Sequence, residues 1–161
     1  MGKAVDAVNM IGAGLTMWRS TGATASVPFF LSYSAKAHAM LGQFDEAQHH
    51  IDQAMVTIEA TGERVWTAEV RRLAGEIALL SLRPDVAQAQ AHFERALQVS
   101  RQQQTKSWEL RAAMSMARLW CDQGKPQQAR ELLAPVYDWF TEGFDTLDLK
   151  EAKALLDELA S

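Results

Sequence analysis

Apolar residues recur every three or four positions along most of the chain, the period of a helix with one buried face. Val5, Val8, Ile11, Leu15 and Trp18 place a first helix over 3–19, ended by Ser20-Thr21-Gly22. Pro28 opens a second, where a missing N–H costs nothing. Phe30, Leu31, Ala35, His38, Ala39 and Leu41 continue it, and Gly42 supplies a left-handed stop. Asp45 is expected to cap a third helix, with Ala47, Ile51, Ala54, Met55 and Ile58 on its face and Thr61-Gly62 closing it. The pattern predicts a fourth over 63–82 through Val65, Trp66, Val70, Leu73, Ile77 and Leu80. Arg83-Pro84-Asp85 breaks it, and Asp85 caps a fifth carrying Ala89, Phe93, Ala96, Leu97 and Val99.

Gln102 to Lys106 is a polar stop without a glycine. A sixth helix follows over 107–122, with Trp108, Leu110, Ala113, Met116, Ala117, Leu119 and Trp120. Gly124-Lys125-Pro126 turns the chain into a seventh with Ala129, Leu132, Leu133, Val136, Tyr137 and Phe140, in which Pro135 implies a kink or an altered first turn. After Gly143 a last helix, 146–160, carries Leu149, Ala152, Leu155, Leu156 and Leu159. No stretch reads as a strand. The fold class is therefore all-α, with about eight helices.

The pattern also repeats. Ala47, Ile51 and Ala54 return as Ala89, Phe93 and Ala96, and again as Ala129, Leu133 and Val136, at offsets of 42 and 40 residues. Ala35, Gly75 and Ala117 precede the matching alanine by 12 to 14 residues, on the first helix of each pair. Small residues there let paired helices approach more closely than large side chains allow. A small residue, a turn, then alanine, an aromatic or aliphatic, and alanine resembles the tetratricopeptide pattern, best matched by Gly42, Phe44, Ala47, Ile51 and Ala54. That resemblance implies a right-handed α-solenoid of antiparallel helix pairs. The repeat here is about 40 residues against the usual 34, and the final proline of the short repeat is absent. Expected boundaries are the second helix of a truncated repeat at 3–19, repeats at about 26–61, 63–103 and 107–141, and a capping helix at 146–160.

A wider resemblance rests on Trp18-Arg19-Ser20-Thr21-Gly22-Ala23, Arg72-Leu73-Ala74-Gly75-Glu76, Ser107-Trp108-Glu109-Leu110-Arg111 and Phe140-Thr141-Glu142-Gly143-Phe144-Asp145. These segments look like the C-terminal repeats of bacterial multidomain signalling proteins, in which a class III adenylate or guanylate cyclase domain, or a DNA-binding domain, precedes an AAA-type ATPase. The resemblance implies a C-terminal regulatory fragment of such a protein and brings no catalytic residues with it. It also implies a first helix whose pairing partner is missing, so that either a homodimer through its apolar face or a loosely held N-terminus is expected.

Composition narrows the function classes. Apolar residues make up 48% of the chain, with 4 Pro and 9 Gly, which suits a folded helical protein. No apolar run approaches the ~20 residues of a membrane span, and the N-terminal segment lacks the charge and apolar order of a secretory signal. Cys121 is the only cysteine, so no intrachain disulfide forms, and a cytoplasmic location is expected. The net charge of −4 lies entirely in residues 141–161, with 1–140 balanced. A neutral body with an acidic end is a poor nucleic-acid binder.

Candidate chemistry is sparse. Gly12-Ala13-Gly14 lies inside a helical pattern, and no GxxxxGK[ST] motif occurs. His38, His49, His50 and His92 form no HExxH or i,i+4 pair, so no metal site is expected. Cys121 lacks a local motif and reads as a small packed residue. The sequence predicts no catalytic residue and no cofactor, hence a non-enzyme. Trp66 and Trp108, 42 residues apart, are expected to seal successive pairs or to meet a partner. In tetratricopeptide stacks the first helices line a concave face that holds peptides. That resemblance assigns partner contacts to Phe29, Ser32 and Lys36, then Glu69, Arg72 and Glu76, then Arg111, Met114 and Arg118. Arginine grips carboxylates with two bonds, which suits an acidic or C-terminal peptide. The competing reading is charge pairing within the helix, as between Arg72 and Glu76. The expected partners are a protein, a peptide or upstream domains of the same polypeptide. The alternative is a small ligand whose binding controls an upstream ATPase or DNA-binding domain.

Overall fold

A computed structural model describes residues 2–160. It contains eight α-helices: α1 Gly2–Ser20, α2 Val27–Met40, α3 Phe44–Thr61, α4 Thr67–Leu80, α5 Val86–Gln103, α6 Lys106–Asp122, α7 Pro126–Tyr137 and α8 Leu147–Glu158. There is no strand among the described residues. Consecutive helices pack on each other throughout, and α2, α4, α6 and α8 also touch in that order, forming a continuous row. None of the described helices is long and apolar enough to cross a membrane.

The spaced small residues occupy the tightest positions. Ala47, Ala54, Ala89, Ala96 and Ala129 are fully buried, with Ile51, Phe93, Leu133 and Val136 between them. Ala35 and Ala117 are equally buried on α2 and α6. At Gly75 the reason for a small residue is explicit. A Cβ there would stand 2.5 Å from Phe93 Cε1 and 3.0 Å from the Ala89 carbonyl oxygen, so the α4–α5 contact admits no side chain. One core gathers α1 to α4 around Leu31, Ile51 and Val70. The other runs from α4 to α8 around Phe93, Leu110, Met116 and Leu133. Helix α4 contributes to both.

Several boundaries differ from the sequence pattern. Asp45 does not cap α3: the cap position is Gln43, with no side-chain bond, and Asp45 lies in the first turn, where its charge faces the helix N-terminus. The fourth helix begins later than 63, because Arg64–Trp66 forms a separate 3-10 turn. Asp85 does cap α5, accepting from the Gln88 N–H at 2.9 Å. The glycine-free stop after α5 is made by Gln104, which takes the left-handed conformation at φ 55°. Pro135 lies inside α7, which ends two residues later at Tyr137. The last helix is shorter than 146–160, covering Leu147–Glu158.

Helix α1 is bound on one side only. It buries Ala4 and Leu15 and leaves Met10, Met17 and Trp18 well exposed beside Phe30 of α2.

Candidate functional site

The row of α2, α4, α6 and α8 presents one polar and aromatic face, built from residues at i, i+3, i+4 and i+7 of each helix. At its centre Glu69 is wholly buried and Arg72 nearly so. A buried carboxylate is tolerable only when paired and fully hydrogen-bonded. Arg72 supplies a fork, Nε to Oε2 and Nη2 to Oε1, both at 2.7 Å. The Tyr33 hydroxyl from α2 donates to Glu69 Oε1 at 3.0 Å, and Arg111 Nη2 from α6 approaches the same oxygen at 3.0 Å. Arg111 Nη2 also donates to the Tyr33 hydroxyl oxygen at 2.7 Å.

A second node forms one turn further along α4. Glu76 accepts from Arg72 Nη1, from Ser115 Oγ of α6 at 3.1 Å and from Lys36 Nζ of α2 at 2.6 Å. Arg118 Nη2 then reaches Glu151 of α8 at 3.0 Å. The chain of charge thus ties four helices, not one. Burial works against the charge of Glu76, but Arg72, Lys36 and Ser115 outweigh it and hold the carboxyl below its ordinary value of 4.5. Burial and the Glu69 carboxylate push the Tyr33 phenol up, so it serves as a neutral donor.

Beside this network Phe29, Tyr33, Trp66 and Trp108 form a half-buried aromatic cluster. Phe29 lies 4.7 Å from Tyr33 and 4.8 Å from Trp66, and the two tryptophan rings are 6.0 Å apart. Arg111 stacks over Trp108 at 5.5 Å. The two tryptophans therefore join successive helix pairs. Towards the other end of the face is a pocket of about 280 Å³. Leu79, Leu119 and Phe93 line its interior, and Lys36, Glu76, Arg118 and Asp122 bring charge to it.

The nine residues expected to meet a partner are unequal. Ser32, Glu69 and Met114 are buried and Arg72 is covered, so none presents a usable surface. Ser32 Oγ bonds the Phe29 carbonyl at 2.7 Å within its own helix. Phe29, Lys36, Glu76 and Arg111 are half-buried, and Arg118 is exposed. The sequence pattern did not single out Tyr33 or Ser115. Each lies four residues after an expected contact, Phe29 and Arg111, on the same face, which is the signal that could have found them.

Elsewhere, His38 and His50 meet edge to face at 5.0 Å, and His38 Nδ1 sits 2.7 Å from Gln43 Oε1. Among the described residues no group of three His, Cys, Asp or Glu side chains is placed to hold a metal ion. The Cys121 thiol is pushed up by burial and by Asp122, the wrong direction for a nucleophile. No family model matches the chain, and no curated protein matches it significantly.

Proposed function

We propose that the chain is a non-catalytic helical-repeat module of the tetratricopeptide kind, a right-handed solenoid that holds a protein or peptide partner along the α2, α4, α6 and α8 face. In this reading it serves as the C-terminal regulatory part of a bacterial signalling protein, and the partner's arrival is passed to an upstream ATPase or cyclase. The observation that carries the reading is the pocket between α4 and α6, whose apolar lining meets Lys36 and Arg118. An apolar side chain fits the interior, and a carboxylate on the same peptide reaches Arg118 by exchanging with Glu151, its exposed ion-pair partner.

Selection of peptides from a random display library tests this. The expected winners combine one large apolar residue with a nearby carboxylate. Their affinity, measured by fluorescence anisotropy, should fall at least about tenfold in Arg118→Glu, equivalent to ~1.4 kcal/mol, with the melting temperature little changed. Selection that enriches no sequence, or winners that bind the variant equally well, would remove the reading.

A further inference from the structure

Arg72, Arg101, Arg111 and Arg118 each sit against a carboxylate. Arg19, Arg64, Arg71, Arg83, Arg95 and Arg130 have no such partner among the described residues, and three of them, Arg64, Arg71 and Arg95, line one groove of about 540 Å³, where Arg95 Nη1 also donates to Gln98 Oε1 at 2.5 Å. The groove runs between α3, the 3-10 turn, α4 and α5, on a different side of α4 from Glu69, Arg72 and Glu76. Its apolar part comes from Met55, Ile58 and Val99. Glu59, which is exposed, is the only carboxylate lining it among the described residues, so a positive excess remains.

Two polar atoms are left unanswered there. The Arg71 Nε–H is buried without a protein acceptor, and Gln103 Oε1 is buried without a donor. A charged donor withdrawn from water and left unpaired is costly, and native structures rarely keep one without a use for it. Gln103 is held in place, because its Nε2 donates to the Arg64 carbonyl at 2.8 Å and fixes the end of α5 to the turn. His92, half-buried near Arg71, is pushed below its ordinary value by that burial and by the guanidinium.

We propose that this groove binds a small organic oxyanion, a phosphate ester or a carboxylate, its anionic group held by Arg64, Arg71 and Arg95 and its apolar portion over Met55, Ile58 and Val99. Guanidinium forks match oxyanions of both kinds. The volume is that of a small-molecule site, and Gln103 Oε1 offers one acceptor for a ligand hydroxyl or amine. The site stands apart from the α4–α6 pocket and does not depend on partner binding there.

Thermal unfolding of the full chain in sodium phosphate, sodium succinate and sodium chloride at equal ionic strength tests it. At about 50 mM, phosphate or succinate should raise the melting temperature above the chloride value by about 3 °C or more. Which anion acts separates a phosphate ester from a carboxylate as the ligand. Arg64→Gln/Arg95→Gln, both at exposed positions, should abolish the difference, and Lys36→Gln/Arg118→Gln should retain it. In the wild-type protein the Arg71 Nε–H resonance should move on addition of the effective anion. Equal melting temperatures in the three salts, or a difference that survives in Arg64→Gln/Arg95→Gln, overturns the proposal.

Discussion

Glu69 and Arg72 are three residues apart on one helix, and both are removed from water. Bringing such charges inside costs several kcal/mol each, recovered only when every lone pair and N–H is answered. Here Arg72 is answered by Glu69, Glu76 and Ser115, and Glu69 by Arg72, Tyr33 and Arg111. Removing one member leaves the other buried and unpaired. Arg72→Met should therefore cost about 3–5 kcal/mol in chemical denaturation, whereas a surface pair such as Arg118 with Glu151 is worth at most ~1 kcal/mol. The same node makes stability depend on acid. Glu76 has its folded value depressed, so its contribution is fully present above the unfolded value near 4.5 and is lost as the pH falls through the lower folded value. Glu109, held down by Lys106 and Arg101 against the effect of burial, adds to the same slope. Glu76→Gln should flatten the fall in melting temperature below pH ~4.5; an unchanged slope would show that Glu76 does not contribute.

At the scale of the helix, the sequence was legible where one residue decides and opaque where neighbours do. Asp85 as a cap, Gly42 and Gly62 as stops, and Gly75 as the point of closest approach followed from local chemistry. The end of α5 did not, because Gln104 stands where a glycine is usual, and the Thr105 N–H bonds the Ser100 carbonyl at 2.9 Å across it. A side chain in the left-handed region is strained, and glycine is not. Gln104→Gly should therefore stabilise the protein by about 0.5–1 kcal/mol, seen as a higher denaturation midpoint at constant slope, and a lower midpoint would contradict this account. The candidate site was half legible for a related reason. The resemblance to tetratricopeptide stacks assigns Phe29, Lys36, Arg111 and Arg118 to one face. The one charge pair that spacing suggests is Arg72 with Glu76 inside a helix, whereas Lys36 with Glu76 and Glu76 with Ser115 are 40 and 39 residues apart. Such pairs become neighbours only once the helix pairs are stacked, and the interval that joins them is close to the spacing of the repeated alanines.

Over the whole molecule, burial is distributed unevenly, and local stability should follow it. Helices α4 and α6 sit in the middle of the row, with nine buried residues each, including the ionic network. Helix α8 buries three, Leu149, Ala152 and Leu155, beneath an outer side where Lys153 pairs with Asp157. Helix α1 buries two and contains Gly12 and Gly14, each about 1 kcal/mol less favourable in a helix than alanine. A segment with little buried surface opens locally without unfolding the rest. Backbone amides of α1 should exchange with deuterium about two to three orders of magnitude faster than those of α4 and α6, a gap of roughly 3–4 kcal/mol in opening free energy. Helix α8 should lie between them, since its polar outer side needs no cover. Equal protection in α1 and α4 at low protein concentration would show a single cooperative unit and refute the gradient. Protection of α1 that rises with protein concentration would have a different source, the covering of Met10, Met17 and Trp18 by a second copy, and the same variation should leave α4 and α6 unchanged.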